Sequence, residues 1–195
     1  MRASAAIVVV GLAVLTAVTA PPASSAVGRS VPCSDVIGQT KFPYLGNSRR
    51  EDRYRQVLGV LAVPPAYMPR VIPTRQQPWA YWHKQGLVVR ATREVVTVTV
   101  PKFWRKRAAI TWGNRGVPVG SLRIEGCGGS ADVGHAYAGG FFLRSPSACV
   151  PLIFTVGTRS ATVRFGVGRE CPLSGPGLSS RRRVRPGPPG LPRER

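Results

Sequence analysis

The stretch EVVTVTV, residues 94–100, decides the fold class because its side chains alternate in character along the chain. Every second residue from Val96 to Val100 is valine, and Thr97 and Thr99 lie between them. Successive side chains of an extended chain point to opposite faces, so a period of two predicts an antiparallel strand with one face buried. The stretch therefore predicts a sheet whose other face is solvated.

Short β-branched and aromatic runs, separated by proline and glycine, continue on both sides of this stretch. ATVRFGV, residues 161–167, repeats the same alternation. Strands at this spacing predict an all-β fold, a small antiparallel β-sandwich of immunoglobulin-like or jelly-roll-like type that is stabilised by disulfides. The other predicted strands are QVLGVLAV at 56–63, GLVVRA at 86–91, AAITW at 108–112, SLRIEG at 121–126, YAGGFFL at 137–143 and VPLIFTV at 150–156.

Residues 49–62 carry a competing helical signal. SRRE at 48–51 fits a capping box, and apolar residues follow it at helical spacing. Gly59, several valines and the Pro64-Pro65 pair favour a strand over 56–63 instead. The sequence leaves helix or strand open here, with a strand preferred for the second half.

The two ends of the chain differ in composition from the part between them. Residues 1–26 combine Arg2, an apolar run and small residues before a cleavage site after Ala26, which is typical of a secretory signal peptide. Residues 172–195 are rich in Pro, Gly, Ser and Arg, so we expect a disordered basic tail. Residues 27–171 have the usual size of one domain. We predict a secreted protein, extracellular or associated with the cell wall, with no transmembrane span in the mature chain.

The four cysteines lie in the predicted exported part, and their spacing matches no CxxC metal or redox pattern. An even number of cysteines in a secreted chain indicates two disulfides, and a functional free thiol is the alternative. Three pairings are possible. We predict Cys127 with Cys149, joining neighbouring strands, and Cys33 with Cys171, joining the two ends of the domain.

The chain is strongly basic, with 28 Lys and Arg against 8 Asp and Glu and a formal charge of +20. Outside a cell, such a charge favours polyanions such as acidic wall polymers and glycans, with no specific nucleic-acid partner indicated. The tail adds a dense run of cations that could contact a polyanion, namely Arg181, Arg182, Arg183 and Arg185.

Few residues suggest catalysis. Ser130, Asp132 and His135 are close in sequence on one glycine-rich stretch, whereas a catalytic triad brings together residues from separate elements. With the cysteines paired, His83 and His135 are too few for a zinc site, and no phosphate-binding glycine loop is present. We therefore predict no enzyme activity, no cofactor and no metal, and favour a turn role for the glycine-rich stretch.

WAYWHKQG, residues 79–86, is the densest aromatic stretch. In a strand, Trp79, Tyr81 and His83 would share one face, which either fills the core or stacks on a ligand. We favour the core, and assign any ligand contact to whichever of Trp79 and Tyr81 is exposed, with Arg70 and Arg75 from the preceding loop.

Several motifs resemble those of a group of small exported actinobacterial proteins. They are WGN at 112–114, AYAGGFF at 136–142, ACVPL at 148–152 and FGVG at 165–168, shortly before Cys171. The resemblance implies secretion and a single small domain that ends near Cys171. It supplies no catalytic residue.

The leading functional hypothesis is a secreted β-sandwich that binds anionic components of the cell envelope, such as a wall polymer or glycan. The alternative is a carbohydrate- or protein-recognition module with an aromatic site near Trp79 and Tyr81. Salt separates the two, because charge-driven binding weakens steeply with ionic strength. The sequence does not predict the oligomeric state.

Overall fold

The computed structural model describes residues 28–46, 53–113 and 116–172. Short 3-10 turns occur at Cys33–Asp35 and Lys102–Trp104. In these ranges the strands are β1 Arg29–Val31, β2 Gly38–Lys41, β3 Arg55–Val57, β4 Leu61–Val63, β5 Tyr67–Met68, β6 Ile72–Pro73, β7 Tyr81–Lys84, β8 Leu87–Arg90, β9 Val96–Thr99, β10 Ala108–Trp112, β11 Ser121–Ile124, β12 Val133–Tyr137, β13 Gly139–Leu143, β14 Ala148–Val156 and β15 Arg159–Val167.

One layer is a six-stranded sheet in the order β1-β11-β9-β14-β15-β5. The strand predicted from EVVTVTV lies in its middle, where Val98 pairs with Leu122 on one side and Phe154 on the other. Val96 and Val98 are fully buried, while the intervening threonines are half-buried. The alternation is therefore confirmed. The sheet is antiparallel except at its two outermost pairings, β1 with β11 and β5 with β15, which are parallel.

The second layer consists of a five-stranded sheet, β2-β12-β8-β4-β3, and a four-stranded sheet, β10-β13-β7-β6. The two are continuous, because β12 and β13 follow one another and pair with β8 and β7 in a single register from Gly134–Arg90 to Leu143–Tyr81. At the junction the Gln85 amide donates to the Gly139 carbonyl at 2.8 Å, and the Trp112 indole donates to the Gln85 carbonyl at 2.9 Å. The second layer is thus one bent sheet, and these two hydrogen bonds join its parts at the bend.

The glycine pair in AYAGGFF permits close approach of strands at this bend. A Cβ on Gly139 would lie 1.6 Å from the Thr111 carbonyl oxygen, and one on Gly140 would lie 1.9 Å from the His83 carbonyl oxygen. A side chain at either position would therefore push β10 or β7 away from β13.

The main core lies between the two layers. Its rings pack in a chain from Trp112 to Phe141 (5.6 Å between centroids), Phe141 to Phe165 (5.4 Å) and Phe165 to Phe154 (6.2 Å). All four are fully buried, and burial of each Phe stabilises the fold by about 2–3 kcal/mol. The predicted all-β, disulfide-stabilised sandwich is confirmed.

Residues 55–63 form a hairpin, β3 to β4, where the sequence suggested a single strand over 56–63 or a helix. The turn is closed by the Val60 amide donating to the Val57 carbonyl at 3.3 Å. Its two central residues, Leu58 and Gly59, have φ of 54° and 71°. Positive φ at both positions matches the twist of the flanking strands, and reverses the chain where a continuous strand was predicted. The SRRE stretch at 48–51 lies outside the described residues, so its capping role stays a prediction.

The disulfides join Cys33 to Cys127 and Cys149 to Cys171, so the predicted pairing is wrong. Parallel pairing of Val31 with Ile124 brings the segments that follow β1 and β11 together, which places Cys33 beside Cys127, with Cα atoms 5.5 Å apart.

At the other end of the sheet, the chain turns back after β15. This return places Cys171 next to Cys149 on β14, with Cα atoms 5.1 Å apart. The first residues of the domain are therefore tied to β11 and the last to β14, and the two ends are not tied to each other.

Disulfides are compatible with an extracellular location. Within residues 28–46, 53–113 and 116–172, no helix has the length and apolar character needed to span a membrane. The predicted signal peptide at 1–26 lies outside the described residues, and so does the tail beyond Pro172.

Candidate functional site

The aromatic stretch at 79–86 does not form one ligand-binding face. Trp79 is only 9% exposed and packs with Ala109, Phe142 and Trp82 in a small cluster separate from the main core. Tyr81 is half-buried and packs against the main core instead. The predicted shared face of Trp79 and Tyr81 is wrong, because Trp79 lies in a turn and the strand begins only at Tyr81.

The two loop arginines predicted as ligand contacts lie in different settings. Arg70 is exposed and lines a groove together with His83, whose Nδ1 contacts the Arg70 carbonyl oxygen. Arg75 is exposed in the loop before Trp79, where the Thr74 hydroxyl accepts a hydrogen bond from the Gln76 amide at 3.3 Å. Arg70 thus keeps a place in a candidate site, and the structure does not bring Arg75 to it.

Ser130, Asp132 and His135 do not form a hydrogen-bonded chain. The Ser130 hydroxyl donates to the Asp132 carboxylate, which lowers the pKa of that exposed carboxyl group. His135 is buried, and its Nε2 lies 3.1 Å from the Gly128 carbonyl oxygen. Over the part of the chain that the structure describes, no cluster of three or more His, Cys, Asp and Glu side chains is arranged to hold a metal ion.

A groove on the outer face of the six-stranded sheet collects the features expected of an anion-binding surface. Its volume is about 540 Å³, and we call it the basic groove. The floor comes from β14 and β15, one wall from the 3-10 turn after β9, and the other from the segment around the Cys149–Cys171 disulfide. Its lining residues are Pro101, Phe103, Trp104, Cys149, Pro151, Ile153, Thr162, Arg164, Arg169 and Pro172.

Alternation along the strands explains the floor of the basic groove. Pro151 and Ile153 on β14, and Thr162 and Arg164 on β15, point outward, whereas the residues between them fill the core. A sheet face that carries proline and isoleucine toward solvent offers apolar contact area to a ligand.

The wall of the basic groove is the stretch KFWRKR, residues 102–107. Phe103 is 76% exposed, the largest value among the exposed large hydrophobic residues of the described ranges, while Trp104 is half-buried. The Arg107 guanidinium lies over the Trp104 ring at 5.5 Å from its centroid, and the Arg105 Nε donates to the Val100 carbonyl at 3.1 Å. These contacts fix a turn that presents cations beside an exposed aromatic ring.

The electrostatics of the basic groove are one-sided. Arg164 and Arg169 line it, the stretch 102–107 that forms its wall carries four further cations, and none of its described lining residues is acidic. Glu170 is the acidic residue next to it in sequence. A concave surface lined by one sign of charge attracts ligands of the opposite sign.

The basic groove was not predicted from the sequence, although the sequence carries a signal for part of it. Four cations and two aromatic residues in the six residues 102–107 are the densest such combination in the chain. Arg164 and Arg169 carry no comparable signal, because only the fold brings them to this groove. The predicted contacts Arg181, Arg182, Arg183 and Arg185 lie outside the described residues.

Comparisons with protein-family models, with curated proteins and with solved structures found no match to the chain. The resemblance to exported actinobacterial proteins therefore stays a prediction.

Proposed function

We propose that this protein is secreted and binds anionic polymers of the cell envelope, with the basic groove as the contact surface. The observation that carries the proposal is the combination of exposed Phe103, apolar side chains on the floor and the cations Arg164 and Arg169, with no acidic side chain in the described lining.

Each part of the groove has a separate task in this proposal. Arginine presents planar donors that match the oxygen atoms of a phosphate or carboxylate group, and it stays charged at any physiological pH. Phe103 and Ile153 supply contact area for the sugar or alkyl backbone between the anionic groups. A repeating polyanion can satisfy both tasks at once.

The interaction depends on ionic strength. The cations that border the groove are exposed, so salt screens their attraction over about 10 Å at 0.1 M. Each cation close to an anionic surface contributes about 1 kcal/mol, so removal of two predicts a loss of roughly thirtyfold in affinity.

The test compares two double variants with the same change in charge. Arg164→Gln with Arg169→Gln alters the basic groove, whereas Arg75→Gln with Arg93→Gln alters exposed cations outside its lining. Binding to poly(glycerol phosphate) and to neutral dextran is measured by co-sedimentation at low and high salt.

We expect the wild-type protein to bind the phosphate polymer in a salt-sensitive way and the groove variant to lose roughly thirtyfold in affinity, with only a small loss in the control. Equal losses in the two variants would show that overall charge drives binding. Binding that resists salt would contradict the charge mechanism. A chain ending at Pro172 measures the share contributed by the arginine-rich tail.

A further inference from the structure

A second groove lies at the open edge of the sandwich, between the edge strand β5 of the six-stranded sheet and β7 of the bent sheet. Its volume is about 490 Å³, and we call it the tyrosine groove. Its lining includes Tyr44, Tyr54, Pro65, Tyr67, Pro69 and Arg70. It is independent of the basic groove, since the two share no lining residue.

The tyrosine rings are held in place by the surrounding chain. Tyr44 and Tyr54 pack edge to face, with ring centroids 4.8 Å apart. The Tyr54 hydroxyl donates to the Gly86 carbonyl at 3.2 Å and accepts a hydrogen bond from the Gln85 side-chain Nε2 at 2.8 Å. Tyr67 is 39% exposed. The groove therefore offers a fixed aromatic wall and one accessible ring.

Several polar side chains of this groove already have partners. Gln85 and Tyr54 bond each other, and the His83 Nδ1 contacts the Arg70 carbonyl oxygen. The His83 Nε2 is buried without a hydrogen-bond partner among the described residues, so the groove still has a polar group to offer a ligand. A polyproline II segment presents proline rings for aromatic contact and backbone groups for hydrogen bonds, and the tyrosine-lined groove suits such a proline-containing peptide.

The backbone of β5 supplies further positions for hydrogen bonds to a peptide. The Gly166 amide donates to the Ala66 carbonyl, and the Gly168 amide donates to the Met68 carbonyl, both at 2.8 Å. Because backbone groups alternate along a strand, the amide and carbonyl groups of Tyr67 point away from β15, toward the open edge. An extended peptide chain can reach them at this edge.

The charge of the groove selects among such peptides. Arg70 is exposed, and none of the described lining residues is acidic. A peptide that carries an acidic residue next to its prolines therefore complements the groove. The chain's own proline-rich tail at 172–195 is rich in arginine, which has the same charge as Arg70, so a different protein supplies the better ligand.

We propose that the tyrosine groove binds an extended, proline-containing segment of a partner protein, with an acidic residue placed against Arg70. Tyr67 provides the accessible ring, and Pro65 and Pro69 border the site. This function is separate from polymer binding at the basic groove and does not depend on it.

The probe is a synthetic peptide of repeated Pro-Pro-Glu triplets, and its binding to the full disulfide-bonded protein is measured by calorimetry. Peptides of repeated Gly-Gly-Glu and Pro-Pro-Lys keep either the charge or the prolines, and a cello-oligosaccharide tests the sugar alternative. The variants are Tyr67→Ala, Arg70→Gln and, as an exposed apolar control outside both grooves, Ile37→Ala.

We expect Pro-Pro-Glu to bind about tenfold more tightly than Gly-Gly-Glu, and Tyr67→Ala to remove about tenfold of that affinity. Arg70→Gln should abolish the preference over Pro-Pro-Lys, and Ile37→Ala should change nothing. Equal affinity for the proline and glycine peptides, no effect of Tyr67→Ala, or Tyr67-dependent binding of the oligosaccharide alone would each overturn the proposal. Since Tyr67→Ala leaves the basic groove intact, polymer binding by that variant separates failure here from failure of the proposed function.

Discussion

Substitution of Gly139 by alanine tests the bent sheet directly. The new Cβ would lie 1.6 Å from the Thr111 carbonyl oxygen and 2.6 Å from the Trp112 Cα, and both are backbone atoms, so no rotation of a side chain can relieve the contact. Strand β10 must move away from β13. Overpacking of this kind costs about 1–3 kcal/mol, and loss of the hydrogen bond from the Gly113 amide, just after β10, to the Ala138 carbonyl, just before β13, costs about 1 kcal/mol more. We expect the free energy of unfolding to fall by about 3 kcal/mol.

Gly38 provides the matched control, because it lies in strand β2 and a Cβ there would meet nothing within 4 Å. Gly38→Ala should be neutral or stabilise by about 0.4–1 kcal/mol, since alanine restricts the unfolded chain. Urea unfolding with the disulfides intact, followed by tryptophan fluorescence, measures both variants. With a slope of about 1.5 kcal/mol/M, Gly139→Ala should lower the midpoint by about 2 M. A midpoint equal to that of Gly38→Ala would refute the close approach of β10 and β13 at the bend.

Two further predictions concern stability. Replacing both Cys149 and Cys171 by serine opens a loop with a sequence separation of 22 residues and should reduce the free energy of unfolding by about 3 kcal/mol, measured by urea unfolding without reductant; an unchanged midpoint would contradict the pairing. Burial, together with Asp35 and Glu125, raises the pKa of Tyr137 to about 12 from 10.0. The shifted pKa of the Tyr137 hydroxyl therefore contributes to the free energy of unfolding in full below pH 10, and this contribution is lost as the pH rises through about 12. Tyr137→Phe should remove this part of the loss of stability at alkaline pH, measured as a pH series of unfolding midpoints.

The parts of the fold that depend on local periodicity were predictable from sequence. The alternation around Val98 identified a central strand because burial on one face requires a period of two. The hairpin at 55–63 was not predictable, since it depends on a positive φ at Leu58, a residue that disfavours this conformation. The disulfide pairing depends on β1 joining β11 across more than ninety positions, and no local pattern encodes that contact.

The candidate sites also differ in how far local sequence predicts them. The stretch 102–107 shows its combination of charge and aromatic residues in the sequence itself. The tyrosine groove joins Tyr44, Tyr54 and Tyr67 with His83, which are spread over forty residues and meet only because β5 forms the edge of one sheet and β7 belongs to the other. The aromatic stretch 79–86 suggested a ligand site by its density of aromatic residues, yet Trp79 packs inside a buried cluster.

The connectivity of the disulfides has a consequence for how the chain becomes oxidised. Each bond joins cysteines that are consecutive in the sequence, the first with the second and the third with the fourth. A chain that meets an oxidant from its amino end during synthesis exposes its thiols in this order, so each thiol finds its native partner as the next one to emerge. Native pairing is then reached without thiol–disulfide exchange, whereas nested bonds would require the first cysteine to wait for the last.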